Sequence, residues 1–148
     1  MVNNFDPVQI LIVEDNPYDA ELTLRALRKH NLVNEVYVAE DGQEALDFLF
    51  CEGKFASRNI SSPLKVIFLD LKLPKISGLE VLKKIKSNPD TKKLPVVIVT
   101  SSKEDPDIKA AYELGTNGYV VKPVDFSDFI KVMQNTGLFW LLVNEVPR

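Results

Sequence analysis

One cysteine and one histidine occur in 148 residues. The lone thiol, Cys51, excludes an internal disulfide and a cysteine-rich zinc site. The lone imidazole, His30, falls near the end of a predicted helix and is expected in solvent. Long apolar runs are missing too: none approaches the ~20 residues of a membrane span. The opening Met1-Val2-Asn3-Asn4-Phe5-Asp6-Pro7 has neither the basic start nor the apolar core of a signal peptide. The expectation is a soluble, cytoplasmic chain with no membrane partner. An excess of positive charge is also lacking: the net charge of −3 removes the electrostatic case for nucleic acid as a partner. Repeats, linkers and low-complexity segments are absent, so one domain over residues 1–148 is expected.

What is present is an alternation. The apolar content of 45% is that of a globular protein, and short β-branched runs alternate with amphipathic helical patterns. That order predicts an α/β fold, a doubly wound five-stranded parallel sheet with helices on both faces. The first strand is read at Gln9–Val13. Asn16 then suits a helix N-cap, Pro17 the first helical position and Asp19 the first turn. This helix runs to about His30 and turns Ala20, Leu24 and Leu27 inward. The second strand is Glu35–Ala39, and Asp41 with Glu44 makes a box-like cap for a second helix whose stripe is Ala45, Leu46 and Leu49. Cys51–Pro63 is polar and reads as a long loop, either an insertion or a contact surface.

The central run Val66-Ile67-Phe68-Leu69 fits a strand buried on both faces and leads directly into Asp70. Ser77 and Glu80 cap a third helix that carries Leu79, Leu82 and Ile85 inward and stops near Asn88. Val96–Val99 is a fourth strand and delivers Thr100-Ser101-Ser102. Asp105-Pro106 opens a fourth helix with Ile108, Ala111 and Tyr112 on one face. Tyr119–Val121 is a fifth strand ending in Lys122-Pro123. Asp125 caps a fifth helix with Phe126, Phe129, Ile130 and Met133 on its core face. The apolar tail Phe139-Trp140-Leu141-Leu142-Val143 either closes the core or offers an oligomer interface.

Strands read this way place Glu14, Asp15, Asp70, Thr100 and Lys122 at their carboxyl ends. In a sheet of order 2-1-3-4-5 the switch point lies between the first and third strands, the edge where ligands bind in open α/β sheets. The acidic pair and Asp70 then face one another across the crevice, flanked by Thr100 and Lys122. Two like charges ~4 Å apart cost on the order of 4 kcal/mol at an effective dielectric of ~20. A core built for stability alone would not gather three carboxylates. A divalent cation relieves the repulsion, and a small all-oxygen set that keeps waters favours Mg2+. Lys122 and Thr100 supply a point charge and a hydroxyl suited to phosphoryl oxygens. A carboxylate is already ionised at neutral pH, which makes Asp70 itself a candidate phosphoryl acceptor, forming an acyl phosphate.

Taken in order, Ile-Leu-Ile-Val-Glu14-Asp15, Leu-Asp70-Leu-Lys-Leu-Pro74, Val-Thr100-Ser101 and Tyr119-Val-Val-Lys122-Pro123 resemble the response-regulator receiver domain of two-component signalling. The resemblance covers about residues 8–138 and leaves 139–148 as an apolar extension. It implies that Asp70 takes a phosphoryl group from the phosphohistidine of a sensor histidine kinase. Asp15, Asp70 and the backbone carbonyl of Lys72 would ligate Mg2+, with Glu14 acting through water. Lys122 would pair with the phosphoryl group, and Thr100 would bond to it and move with Tyr119 as the switch. A cis bond before Pro123 is implied as well. Lys72 and Ser102, two residues past Asp70 and Thr100, offer no carboxylate or amide to position a water, which points to slow self-dephosphorylation.

The finer resemblance is to stand-alone receivers that serve phytochrome-type sensor kinases, which share the extended loop and a Phe-Trp tail. It implies a single-domain regulator without an effector module or direct DNA binding, acting as an enzyme only in its own phosphorylation and dephosphorylation. Output would pass through an unknown downstream protein or a homodimer. With one histidine, a phosphorelay-histidine role is not expected. A haloacid-dehalogenase-type phosphatase would want a second carboxylate where Lys72 stands. A flavin module would want a phosphate-binding loop where Glu14-Asp15-Asn16-Pro17 would repel phosphate. A degenerate receiver, serving as a phosphorylation-independent scaffold, would not need Asp15, Asp70, Thr100 and Lys122 together.

Overall fold

The computed structural model describes residues 5–32, 35–60 and 64–143. The Ser61-Ser62-Pro63 end of the expected loop and the first four and last five residues lie outside them. Five strands, β1 (Ile10–Val13), β2 (Val36–Ala39), β3 (Val66–Leu69), β4 (Val96–Thr100) and β5 (Gly118–Val121), alternate with α1 (Pro17–Lys29), α2 (Gly42–Leu49), α3 (Gly78–Ser87), α4 (Asp105–Glu113) and α5 (Phe126–Asn135). A short helix, α6 (Leu138–Leu142), follows. All strand pairs are parallel and the order is β2-β1-β3-β4-β5, as the alternation predicts.

The central strands β1, β3 and β4 are buried along their whole length, because helices cover both faces of the sheet. Side chains alternate between the two layers. Leu11, Ile67 and Ile98 join the helices α2 and α3, while Ile12, Phe68, Val97 and Val99 join α1 and α5. The helix starts sit where the polar caps place them. Asn16 Oδ1 accepts from the N–H groups of Tyr18 and Asp19 at 2.9 and 3.1 Å, and Asp41, Ser77 and Asp125 each accept from the N–H three residues on. At α2 the reciprocal bond is displaced by one residue: the Glu44 carboxylate accepts from the N–H of Glu40, not of Asp41.

Three expectations are corrected, and the open reading of the tail is resolved. The segment after α2 is not a solvated loop throughout. It contains a 3-10 turn, Gly53–Phe55, whose Phe55 is buried and packs with Phe5, Tyr37 and Phe48 at ring separations of 4.9 to 5.4 Å. Arg58 is also buried. Its guanidinium lies 4.2 Å from the Phe48 ring centroid, and Nη1 donates to the carbonyls of Phe48 and Leu49. The cation thereby caps the carboxyl end of α2, adding to the Cys51 N–H that also reaches the Phe48 carbonyl. His30 is half-buried, with Nε2 3.0 Å from the carbonyl oxygen of Phe126, so it joins α1 to α5. Tyr112 is exposed, and α4 buries Ala111 alone. The tail divides its roles: Leu138 and Leu142, one turn apart, enter the core, while Trp140 stays 77% exposed.

Candidate functional site

Strand register assembles the site. Val13 pairs with Leu69, so Glu14 and Asp70 leave the sheet side by side. The N–H of Asp70 bonds to the Val13 carbonyl and that of Glu14 to the Ala39 carbonyl. Thr100 pairs with Val121, and the next residue, Lys122, donates its N–H to the Thr100 carbonyl at 2.8 Å. The Lys122–Pro123 bond is cis. One ligand oxygen from each of Glu14, Asp15 and Asp70 lies within 4.8 Å of the others. Glu14 and Asp70 are buried and Asp15 is exposed.

The Lys122 ammonium sits among carboxylates. Its Nζ is 2.6 Å from Glu14 Oε1, 2.7 Å from Asp70 Oδ2 and 3.0 Å from Asp19 Oδ2. Three donors meet three acceptors, which exhausts the ammonium. Asp19 was visible in the sequence only as a first-turn acid. Its place in the first turn of a helix that starts directly after the carboxyl end of β1 is the signal that puts it beside the site. The other oxygen of Asp70 accepts from the Lys72 N–H at 3.3 Å, and Glu14 Oε2 accepts from the Asn16 N–H at 3.2 Å. Burial works against the charge on Lys122, but its bonds to Asp70, Glu14 and Asp19 outweigh this and hold its pKa above the ordinary lysine value.

Burial pushes Glu14 the other way, up to about 7, with repulsion from Asp70 adding to it and the Lys122 hydrogen bond only partly offsetting it. The native state therefore holds a proton on Glu14 that the unfolded chain, at its ordinary value near 4.5, has lost. Between those values the native state binds more protons, so stability falls as pH rises. The cation-free protein is expected to lose stability between about pH 4.5 and 7, and Glu14→Gln to flatten that decline. Urea titrations across this range in EDTA read it directly, and an equal slope in the variant would refute it.

Thr100 is fully buried, and its Oγ1 accepts a long bond, 3.5 Å, from the Ser102 N–H. Ser102 proves a junction that the sequence did not reveal. Its carbonyl accepts from the Tyr119 hydroxyl at 3.0 Å, and its own hydroxyl bonds to the Asp107 carboxylate in the first turn of α4. Burial raises the Tyr119 pKa, so the phenol stays protonated and donating.

Three carboxylates without a sulfur or imidazole donor suit a hard divalent cation, and the two buried ones lack the water that would otherwise screen them. The response regulator receiver domain family matches residues 10–134. The chain belongs to that family. The receiver is 39% identical over 141 residues to response regulator Rcp1 of Synechocystis sp., covering 95% of this chain and 94% of that one. The crystal structure of the Mn(2+)-bound form of Rcp1 superposes with a TM-score of 0.76 at 37% identity, over 96% of this chain and 100% of the other. The bacteriophytochrome response regulator RtBRR superposes with a TM-score of 0.83 at 50% identity, over 95% and 84% of the two chains. The phosphorylated cyanobacterial phytochrome response regulator RcpA gives 0.75 at 37% identity, over 95% and 99%. Among the described residues no helix is long and apolar enough to cross a membrane.

Proposed function

We propose that this receiver accepts a phosphoryl group on Asp70 from the phosphohistidine of a sensor histidine kinase, in a Mg2+-dependent reaction, and that the acyl phosphate changes its affinity for a partner. The observation that carries the reading is the setting of Asp70. It is a buried carboxylate at the end of β3, with one oxygen on the Lys72 N–H and the other on the Lys122 ammonium. An Asp70 oxygen attacks phosphorus, the O–P bond forms as the P–N bond breaks, and the imidazole leaves with the electron pair. Asp15, Asp70 and the Lys72 carbonyl would hold Mg2+, with Glu14 acting through water. When bound, the cation supplies charge neutralisation at the phosphoryl oxygens.

Lys122 turns to the phosphoryl group, and Thr100 exchanges its long bond with Ser102 for a phosphoryl oxygen. The Tyr119 hydroxyl, already on the Ser102 carbonyl, ties that movement to β5 and the start of α4. Phosphate on Asp70 thus acts as a local charge that biases the Thr100–Ser102–Tyr119 arrangement. Relatives described as phytochrome response regulators support a phytochrome-type kinase as the donor, in the cytoplasm. The exposed Trp140 supports a homodimer or a downstream protein as the recipient of the switch.

Cation binding tests the shared carboxylate site. At a hundredfold excess over its dissociation constant, Mg2+ is expected to raise the melting temperature of wild type by about 5–10 °C, and that of Asp70→Asn by much less. Equal shifts would contradict the shared site.

A further inference from the structure

Lys122 has three carboxylate partners, and they differ in kind. Glu14 and Asp70 belong to the cluster whose oxygens can serve a cation; Asp19 does not. The two carboxylates that Lys122 grips most closely, Glu14 through Oε1 at 2.6 Å and Asp70 through Oδ2 at 2.7 Å, are therefore ones whose negative charge a cation would share with it. Asp19 is the one partner of Lys122 that lies outside that cluster. It is fixed in place. It is the third residue of α1, its N–H is held by the Asn16 cap, and its carbonyl accepts from Thr23. Its side chain is 27% exposed, at the rim of the site where the other two are buried.

We propose that Asp19 is a positioning residue for Lys122, drawing the ammonium toward the rim so that the cluster can take a divalent cation, and then competing with the phosphoryl group for it. This rests on the receiver reading of the site. Two effects of opposite benefit follow from one charge. Without Asp19 the lysine stays on Glu14 and Asp70 and the site is less negative, so the cation binds more weakly. Once the acyl phosphate has formed, the lysine has no rival partner, so the phosphoryl group is held longer. An acid whose only task is to favour the N-terminus of α1 would change stability and neither of these.

The test uses the full chain as wild type, Asp19→Asn and Asp19→Glu. Mg2+ binding is measured by calorimetry. The acyl phosphate is formed with acetyl phosphate, the donor is removed, and decay is followed at saturating Mg2+, so that the two quantities are separate. Asp19→Asn is expected to raise the Mg2+ dissociation constant and to lengthen the phosphoryl half-life, each on the order of three- to tenfold. Asp19→Glu is expected to restore both toward wild type. Thermal unfolding establishes that the variants are folded. If either quantity in folded Asp19→Asn stays within about twofold of wild type, the inference is overturned and the receiver reading stands. A wild type that takes no phosphoryl group overturns both.

Discussion

Lys122→Met is expected to cost the cation-free protein on the order of 3–5 kcal/mol at pH 8, and a divalent cation to return most of it. The lysine side chain is 11% exposed, against 4% for Glu14 and 6% for Asp70, so water does little to screen the carboxylates it joins. Removing one partner of a buried pair leaves the other charge uncompensated, and here two such charges remain. Methionine keeps the stem of the lysine and so confines the change to the charge. At lower pH the loss shrinks, because Glu14, already pushed up to about 7, protonates and removes one of the charges. Urea unfolding at pH 6 and pH 8, in EDTA and in Mg2+, gives four stabilities. A loss under about 1 kcal/mol at pH 8 in EDTA, the range of an exposed pair, would mean that the ammonium does not hold the cluster together.

Gly78→Ala is expected to be comparably damaging for a steric reason. Gly78 opens α3, and its N–H donates to the Leu71 carbonyl at 2.9 Å. A Cβ there would lie 2.1 Å from the Asp70 carbonyl oxygen and 2.5 Å from the Leu71 Cα. Both obstacles are backbone, so no side chain can rotate away. Overpacking typically costs about 1–3 kcal/mol, and this contact belongs at or above the top of that range. The displaced segment carries Asp70, so phosphorylation is expected to slow as well. A fully stable, normally phosphorylated Gly78→Ala would show that α3 is not wedged against the site.

Much of this arrangement was legible before any coordinates. Unbroken apolar runs at Val66–Leu69 and Val96–Val99 can be buried only between two layers, and Asn16, Asp41, Ser77 and Asp125 mark helix starts by side-chain chemistry. Strand ends then predict which polar residues meet, and Glu14, Asp70 and Lys122 do meet, with Asp15 beside them. What escaped depends on partners far away in sequence. Asp19 reaches a lysine just past the end of β5, 103 residues on. Arg58 lies in a polar stretch, and its burial follows from an aromatic cluster drawn from four separate segments. His30 looked like a helix-end residue because its acceptor, Phe126, belongs to α5. Tyr112 matched a helical stripe, but α4 packs by a narrower face than its periodicity suggested.

The most direct test of the central claim is the intact mass of the full chain after incubation with acetyl phosphate, with and without Mg2+, beside Asp70→Asn. A gain of one phosphoryl group in wild type, dependent on Mg2+ and absent from Asp70→Asn, is the predicted result. No gain under conditions that label a known receiver, or an equal gain in Asp70→Asn, would contradict it.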